Sequence, residues 1–139
     1  MKIIVIDGQG GKMGQMIIER ILNQKITCEL IAIGTNSIAT SAMLKAGANA
    51  GATGENPVIA NCRNADIIIG PIGIIAADSM LGEVTPKMAV AVGQSSALKL
   101  LLPFNLCSNI IIGTKPLPLS ELIDEAVEKL QILKKQIMR

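Results

Sequence analysis

The chain lacks histidine, tyrosine and tryptophan, and Phe104 is the only aromatic residue among its 139. Without histidine, the chain by itself offers no imidazole base, no histidine-ligated metal site and no Ser-His-Asp triad. Without further aromatic side chains, it offers no stacking platform for single-stranded nucleic acid. A bound nucleobase would therefore lie between aliphatic side chains and glycines.

Charge of one sign is also scarce. Thirteen Lys and Arg residues oppose 11 Asp and Glu residues, which gives a formal net charge of +2. So small an excess of positive charge does not indicate a basic surface that would bind nucleic acid or an anionic membrane. We therefore expect a protein whose partners include neither nucleic acid nor a membrane.

Long apolar runs and paired cysteines are missing as well. No apolar run approaches the ~18 residues that span a bilayer, and the first residues lead directly into a strand rather than a secretory signal. Cys28, Cys62 and Cys107 are odd in number and far apart in the sequence. This spacing fits reduced, inert thiols better than disulfides or a zinc site. We expect a cytoplasmic location and no metal cofactor.

What the chain does have is a regular alternation of strand and helix patterns. The patterns predict strands at 2–7, 29–33, 66–69, 98–102 and 109–113, and helices at about 12–24, 37–46, 86–94 and 120–138, with Thr85 and Ser120 as N-caps. Pro103 separates the last two strands, which leaves a tight hairpin or an edge pairing open. The alternation predicts an α/β fold, a Rossmann-like doubly wound and mostly parallel sheet flanked by helices, as a single nucleotide-binding domain over residues 1–139.

Three segments have more than one interpretation. Residues 46–56, rich in glycine and alanine, fit a tight connection or a small-residue strand packed under a helix. They also fit a second ligand loop built largely from backbone. Residues 57–64 fit a short strand or a single helical turn, and residues 74–81 fit a helix or an apolar loop.

The strongest chemical signal is the glycine cluster that follows the first strand. A β-branched run stops at Gly8-Gln9-Gly10-Gly11-Lys12-Met13-Gly14, and a helical pattern begins at once. Glycines let the chain turn tightly and let a phosphate approach the main chain, while a helix start offers unpaired N–H groups and a positive dipole end. We therefore predict that residues 8–14, the glycine turn, bind a phosphate or diphosphate, with Gln9 and Lys12 contacting the ligand.

The glycine turn resembles the first βα turn of dihydrodipicolinate-reductase-like NAD(P)-binding proteins. The likeness is confined to the first strand, the turn and the first helix. It implies that the ligand is NAD or NADP, that Lys12 lies near the pyrophosphate, and that Met13 packs beneath the helix. The catalytic histidines of that family have no counterpart in this chain, so its reaction is not carried over.

The second strand ends in a way that departs from the usual pattern. Dinucleotide-binding sheets place an acid there for the ribose hydroxyls, or an arginine nearby for a 2′-phosphate. This chain has Gly34-Thr35-Asn36-Ser37 instead, and we expect Thr35, Asn36 and Ser37 to meet the ribose through neutral groups. Gly70-Pro71-Ile72-Gly73 follows the strand at 66–69, and we expect it to line the far half of the site.

Charged residues supply weak candidates for chemistry. Asp7 precedes the first glycine and acts either on a ligand or metal ion, or as a hydrogen-bonding brace for the turn. Asp78, Glu83 and Lys87 could fold back over the same edge for substrate contact or acid–base work, although exposure or helix capping also accounts for each of them. Asp66 begins its strand and is expected at the opposite edge.

The whole chain carries a second resemblance. Its stretches 6–11, 32–36, 39–56, 69–75, 82–86 and 117–123 resemble a family of small bacterial proteins grouped as a domain of unknown function. This resemblance implies a Rossmann-like fold and supplies no catalytic residue.

These observations leave three functional hypotheses. The first is a protein that binds a nucleotide or dinucleotide, above all NAD or NADP, and forms a homodimer or larger homo-oligomer. The second is a metal-assisted enzyme that acts on a phosphorylated metabolite through Asp7, Asp78 or Glu83. The third is a non-catalytic sensor or assembly subunit. The fold alone does not choose between them.

Overall fold

The computed structural model describes residues 1–104 and 108–137. Within them, the strands are β1 (Lys2–Asp7), β2 (Glu29–Gly34), β3 (Ala50–Thr53), β4 (Ile67–Pro71) and β5 (Leu98–Leu102). The helices are α1 (Lys12–Asn23), α2 (Ser37–Lys45), α3 (Glu55–Cys62), α4 (Pro86–Gln94) and α5 (Leu119–Ile137), with a 3₁₀ turn at Ile72–Ile75. The strands form one sheet in the order β3-β2-β1-β4-β5, and every pairing is parallel. The predicted Rossmann-like α/β fold is confirmed.

Side chains of β1 alternate between two apolar layers. Ile3 and Val5 pack with buried residues of α1, α2 and α5 on one face of the sheet. Ile4 and Ile6 pack with buried residues of α3 and α4 on the other face. A strand buried on both faces reads as a continuous apolar run, which is why β1 and β4 were recognisable from β-branched residues alone. Helices on both faces make the sheet doubly wound.

The strand order fixes where a ligand would bind. β1 lies between β2 and β4, so the chain changes winding direction at β1, and open sheets of this kind bind their ligands at the carboxyl ends of the strands beside that point. The register places Asp7 beside Gly34, so both strands end at the same edge. No helix within residues 1–104 and 108–137 is long and apolar enough to cross a membrane.

The three ambiguous segments are resolved by packing. Residues 50–53 form the edge strand β3, and a Cβ added at Gly51 would lie 2.9 Å from Cγ of Leu44, so small residues let α2 pack closely on this strand. The small-residue strand under a helix is therefore the correct interpretation of 46–56. Residues 57–64 belong largely to α3, and residues 76–84 form turns after the short 3₁₀ helix.

Two predictions for the C-terminal third of the chain were wrong. Residues 109–113 form no strand: they make neither a hairpin nor an edge pairing with β5, although β5 lies at the edge of the sheet. Ile110 and Ile112 are 85% and 91% exposed, and the hydroxyl of Thr114 donates to the Ile111 carbonyl at 2.7 Å to close a turn. Helix α5 begins at Leu119, so Ser120 lies inside its first turn rather than at its N-cap.

The close approach of β1 and β4 gives a test of the fold. A Cβ added at Gly70 would collide with the carbonyl oxygen of Ile6, which is backbone and has little room to move. We expect Gly70→Ala to lower the free energy of unfolding by about 1–3 kcal/mol, measured by urea denaturation. Gly93→Ala is the matched control: it lies in α4 with nothing within 4 Å of the added Cβ, and it should raise stability by up to about 1 kcal/mol. Equal effects of the two substitutions would contradict this packing.

Candidate functional site

The glycine turn connects the end of β1 to the start of α1 as the sequence predicted. The N–H of Gly11 donates to the carbonyl of Gly8 at 2.9 Å, which closes the turn, and the N–H of Gln15 donates to the carbonyl of Gly11 at 2.9 Å, which starts the helix. Gly11 has a φ of 75°, in the left-handed region that favours glycine. The turn therefore presents backbone rather than side chains at the carboxyl end of β1.

The glycines of the turn serve different purposes. A Cβ at Gly14 would lie 2.5 Å from Sδ of Met43 and 3.0 Å from Cβ of Asp7, so this glycine lets α1 pack closely on β1. A Cβ at Gly8 would lie 2.6 Å from Sδ of Met80. At Gly10, by contrast, nothing lies within 4 Å of the added atom. Gly10 is thus the position at which the turn faces open space.

Asp7 braces the turn from below. Its side chain is 5% exposed, with Oδ1 accepting from the N–H of Gly8 at 2.8 Å and Oδ2 accepting from the N–H of Gly14 at 2.7 Å. Burial raises the pKa of Asp7 above its usual value, the two N–H groups act in the opposite direction, and nearby Glu83 adds a smaller upward effect. Of the two roles considered for Asp7, the hydrogen-bonding brace is the one that these contacts describe.

One carboxylate oxygen of Glu83 accepts hydrogen bonds from both the glycine turn and the end of β2. Oε1 of Glu83 accepts from the N–H of Gln9 at 2.9 Å, from the hydroxyl of Thr35 at 2.7 Å and from Nδ2 of Asn36 at 2.7 Å. Partial desolvation would raise the pKa of Glu83, but these three hydrogen bonds outweigh it and hold the pKa below its usual value. Glu83 is therefore an ionised carboxylate at neutral pH.

Residues 76–84, the covering loop, carry Glu83 to this position. The loop contains Asp78, Met80 and Leu81 with φ values of 66°, 56° and 57°, and the N–H of Asp78 donates to the carbonyl of Val84 at 2.7 Å. Met80 is 9% exposed and packs with Ile4 and Ile6 in the second apolar layer, whereas Leu81 is 98% exposed. The covering loop is thus anchored beside Gly8 through Met80 and Glu83.

The residues predicted at the end of β2 are only partly brought together. Asn36 caps α2 by accepting from the N–H of Ala39 at 2.9 Å, and its Nδ2 also donates to the carbonyl of Gln9 at 2.8 Å. Thr35 joins the same cluster through Glu83. Ser37 is the exposed first residue of α2, and no hydrogen bond within the described residues joins it to the glycine turn.

The segment predicted to line the far half lies at the same edge, under the covering loop. Gly70 and Pro71 are buried at the end of β4, Ile72 is half-buried, and the carbonyl of Gly73 accepts from the hydroxyl of Ser79 at 2.5 Å. Residues 70–73 thus support the covering loop from below.

The other charged candidates lie apart from the glycine turn. Asp78 is exposed, and Lys87 lies on α4, where it lines an open cavity of about 680 Å³ between α3 and α4. Asp66 lies at the opposite edge as predicted, where Oδ2 accepts from the N–H of Lys2 at 2.7 Å. Within residues 1–104 and 108–137, no group of three or more Cys, Asp or Glu side chains is placed to hold a metal ion.

Two of the three cysteines fall within the described part of the chain, and both are poor nucleophiles. Burial raises the pKa of Cys62 to about 11, partly offset by Lys99, and burial also raises the pKa of Cys28. A thiol that stays protonated is unreactive. Cys107, predicted to be an inert thiol, lies outside the described residues.

Sequence reasoning missed the part played by Glu83. It was one candidate among several acids, with no reason to place it against Thr35 and Asn36, about 47 residues away in the chain. The sequence held only an indirect sign of this role. The end of β2 offers two polar donors, Thr35 and Asn36, and lacks the acid that dinucleotide-binding sheets usually carry there. Those donors need an acceptor from elsewhere, and the covering loop provides it.

The chain belongs to the family described as a domain of unknown function (DUF3842), whose model matches residues 2–135. A search of curated proteins found no match. Membership confirms the predicted resemblance to a family without an assigned activity, and it names neither a ligand nor a reaction. The likeness of the glycine turn to dihydrodipicolinate-reductase-like proteins stays a prediction.

The brace formed by Asp7 gives a stability test. Asp7→Asn keeps the shape of the side chain but turns one of two acceptors into a donor, so one buried N–H, of Gly8 or Gly14, loses its partner. We expect a loss of about 1–3 kcal/mol in the free energy of unfolding. Asp66→Asn is the control, because the exposed Asp66 accepts one N–H and can still accept through its remaining oxygen. Its cost should be below about 1 kcal/mol.

The same variant carries a pH signature. Because the pKa of Asp7 is raised in the folded state, ionisation weakens the wild-type fold as the pH rises from the usual value of 3.8 through the raised value. Asp7→Asn has no such loss. The gap in unfolding free energy between wild type and variant should therefore shrink as the pH rises from 3.8 through the raised pKa. A gap that widens over this range would contradict the raised pKa.

Proposed function

We propose that this protein binds a nucleotide or dinucleotide, with NAD or NADP as the foremost candidates, at the carboxyl edge of β1 and β4. The phosphates would lie on the backbone of the glycine turn. The proposal is supported by the strand order, since open parallel sheets bind ligands at the point where the winding direction changes. It is supported equally by the turn itself, which joins a strand end to a helix start.

The observation that carries the proposal is the open space at Gly10. In dinucleotide-binding turns one glycine allows a tight turn, a second allows the pyrophosphate to approach the backbone, and a third allows the helix to pack on the strand. Gly11, with a φ of 75°, allows the tight turn, and Gly14 lets α1 pack closely on β1. Gly10 is the glycine left for the approach of a ligand, because the Cβ added there meets no protein atom within 4 Å. A space that the fold does not need is available to a ligand.

Donors remain at the start of α1. The first N–H groups of a helix have no partner within the helix. Asp7 satisfies that of Gly14, while no hydrogen bond within the described residues uses the N–H of Lys12 or Met13. Met13 is 5% exposed and therefore offers backbone only, whereas the exposed Lys12 side chain is a cation beside the turn. Two N–H groups and one ammonium group suit a diphosphate.

The charge of Asp7 does not oppose this ligand strongly. Both of its oxygens accept backbone N–H groups, and its pKa is raised, so its negative charge is compensated in part and costly to maintain. The metal-assisted alternative has less support, because the oxygens of Asp7 and Oε1 of Glu83 are engaged by hydrogen-bond donors. The homo-oligomer and the cytoplasmic location stay predictions.

Gly10→Ala tests the proposal without disturbing the fold. The added methyl group enters open space, so the melting temperature without ligand should stay within about 2 °C of wild type, while the methyl group blocks the approach of a phosphate. We expect NAD⁺ or NADP⁺ to bind at least about tenfold more weakly, measured by isothermal titration calorimetry. Gly93→Ala, in α4 and also free of neighbours, is the control and should leave the affinity unchanged.

The control results decide between the alternatives. If wild type binds none of NAD⁺, NADP⁺, ADP-ribose and ATP at millimolar concentration, the proposed function is wrong. If Gly10→Ala binds as tightly as wild type, the ligand does not lie on the backbone of the glycine turn.

A further inference from the structure

The end of β2 presents hydrogen-bond donors without an acid of its own. Thr35 and Asn36 stand where a carboxylate for the ribose hydroxyls is usual in dinucleotide-binding sheets. In this protein a carboxylate is nevertheless present at that point in space, because Glu83 reaches it from the covering loop that follows β4. The carboxylate therefore comes from the covering loop rather than from β2.

We infer that Glu83 is the carboxylate that receives the ribose hydroxyls, and that the ligand therefore carries an unphosphorylated ribose, as in NAD rather than NADP. This inference rests on the proposed function and deepens it. It assigns to Glu83 a role in choosing between two ligands, whereas the glycine turn would bind the diphosphate that both ligands share.

The hydrogen bonds of Glu83 leave one oxygen available. The three donors from Gln9, Thr35 and Asn36 all converge on Oε1. No hydrogen bond within the described residues engages Oε2. A carboxylate oxygen has about two acceptor positions, so Oε2 can accept from both hydroxyl groups of a ribose. Oε1 holds the side chain in place, and Oε2 serves the ligand.

The covering loop is also fixed on its other side. The hydroxyl of Thr85, which follows the covering loop directly, donates to Oε1 of Glu55 at 2.6 Å. Thr85 itself caps α4 by accepting from the N–H of Met88 at 3.2 Å. Glu83 therefore stands between a buried anchor at Met80 and a helix cap at Thr85. Its carboxylate is positioned before any ligand arrives, which reduces the entropy lost on binding.

Charge around Glu83 disfavours a 2′-phosphate. A site that takes NADP pairs that phosphate with an arginine. Neither residues 33–40, at the end of β2, nor residues 76–85 contain a lysine or an arginine, while the second stretch contains two acids, Asp78 and Glu83. A 2′-phosphate here would face the ionised Glu83 without a cation from either stretch, whereas a diphosphate on the glycine turn would have the exposed Lys12 beside it. The repulsion between two negative charges grows as the distance between them falls, so this arrangement would weaken the binding of NADP.

The test compares NAD⁺ with NADP⁺ in three proteins: wild type, Glu83→Gln and Glu19→Gln. The amide introduced by Glu83→Gln can keep accepting through its one oxygen, but its nitrogen takes the place of Oε2 and no longer accepts from a ribose. Glu19 is an exposed acid on α1, so Glu19→Gln removes the same charge without touching the site. Dissociation constants come from isothermal titration calorimetry, and melting temperatures without ligand check that each variant folds.

We expect wild type and Glu19→Gln to bind NAD⁺ at least about tenfold more tightly than NADP⁺. In Glu83→Gln the ratio of the NADP⁺ to the NAD⁺ dissociation constant should fall towards one. We expect NAD⁺ to bind more weakly, and NADP⁺ to bind more tightly or as before. The 2′-deoxy form of ADP-ribose should bind wild type more weakly than ADP-ribose does, and it should bind Glu83→Gln about as well as ADP-ribose does.

Two results would overturn the inference alone and leave the proposed function standing: equal or tighter binding of NADP⁺ by wild type, or an unchanged preference in a folded Glu83→Gln protein. Binding of none of NAD⁺, NADP⁺, ADP-ribose and ATP by wild type would overturn both. Should Glu83→Gln fail to fold, the comparison of ADP-ribose with its 2′-deoxy and 2′-phosphate forms on wild type decides the matter.

Discussion

The buried carboxylate of Asp7 holds together the part of the molecule on which the site depends. It accepts one N–H from the first residue of the glycine turn and one from the third residue of α1, and so joins the end of β1 to the start of α1. Each N–H would otherwise be buried without a partner, at a cost of about 1–3 kcal/mol. The same proximity favours glycine at position 14, because a Cβ there would lie 3.0 Å from Cβ of Asp7 and 2.5 Å from Sδ of Met43.

Asp7 and Glu83 both accept backbone N–H groups of the glycine turn, but their pKa values shift in opposite directions. Asp7 is nearly inaccessible to solvent, so desolvation dominates and its pKa rises. Glu83 is only partly buried, so three hydrogen bonds outweigh a smaller desolvation penalty and its pKa falls. Their effects on stability are opposite in sign: raising the pH costs stability at Asp7, and lowering the pH costs stability at Glu83. Between them, the backbone of Gly10 remains open to a ligand.

Local signals in the sequence predicted most of the fold. Strands buried on both faces, the glycine turn and the Thr85-Pro86 helix start all depend on neighbouring residues, and the structure has each of them. Local signals were insufficient where tertiary pairing decides. The apolar residues 109–113 would suit a strand, yet they do not pair with β5 at the edge of the sheet. Glu83 meets Thr35 through the path of the covering loop, and no spacing rule predicts that path.

The residues at this carboxyl edge are better suited to holding a ligand than to moving a proton. Asp7 has a raised pKa, which a general acid or base needs, but it is 5% exposed and both oxygens are used by backbone. Glu83 is accessible, but its lowered pKa makes it a weak base. Lys12 is exposed beside the turn, where its positive charge suits a phosphate. The chain contains no histidine to take the part of an acid or base here.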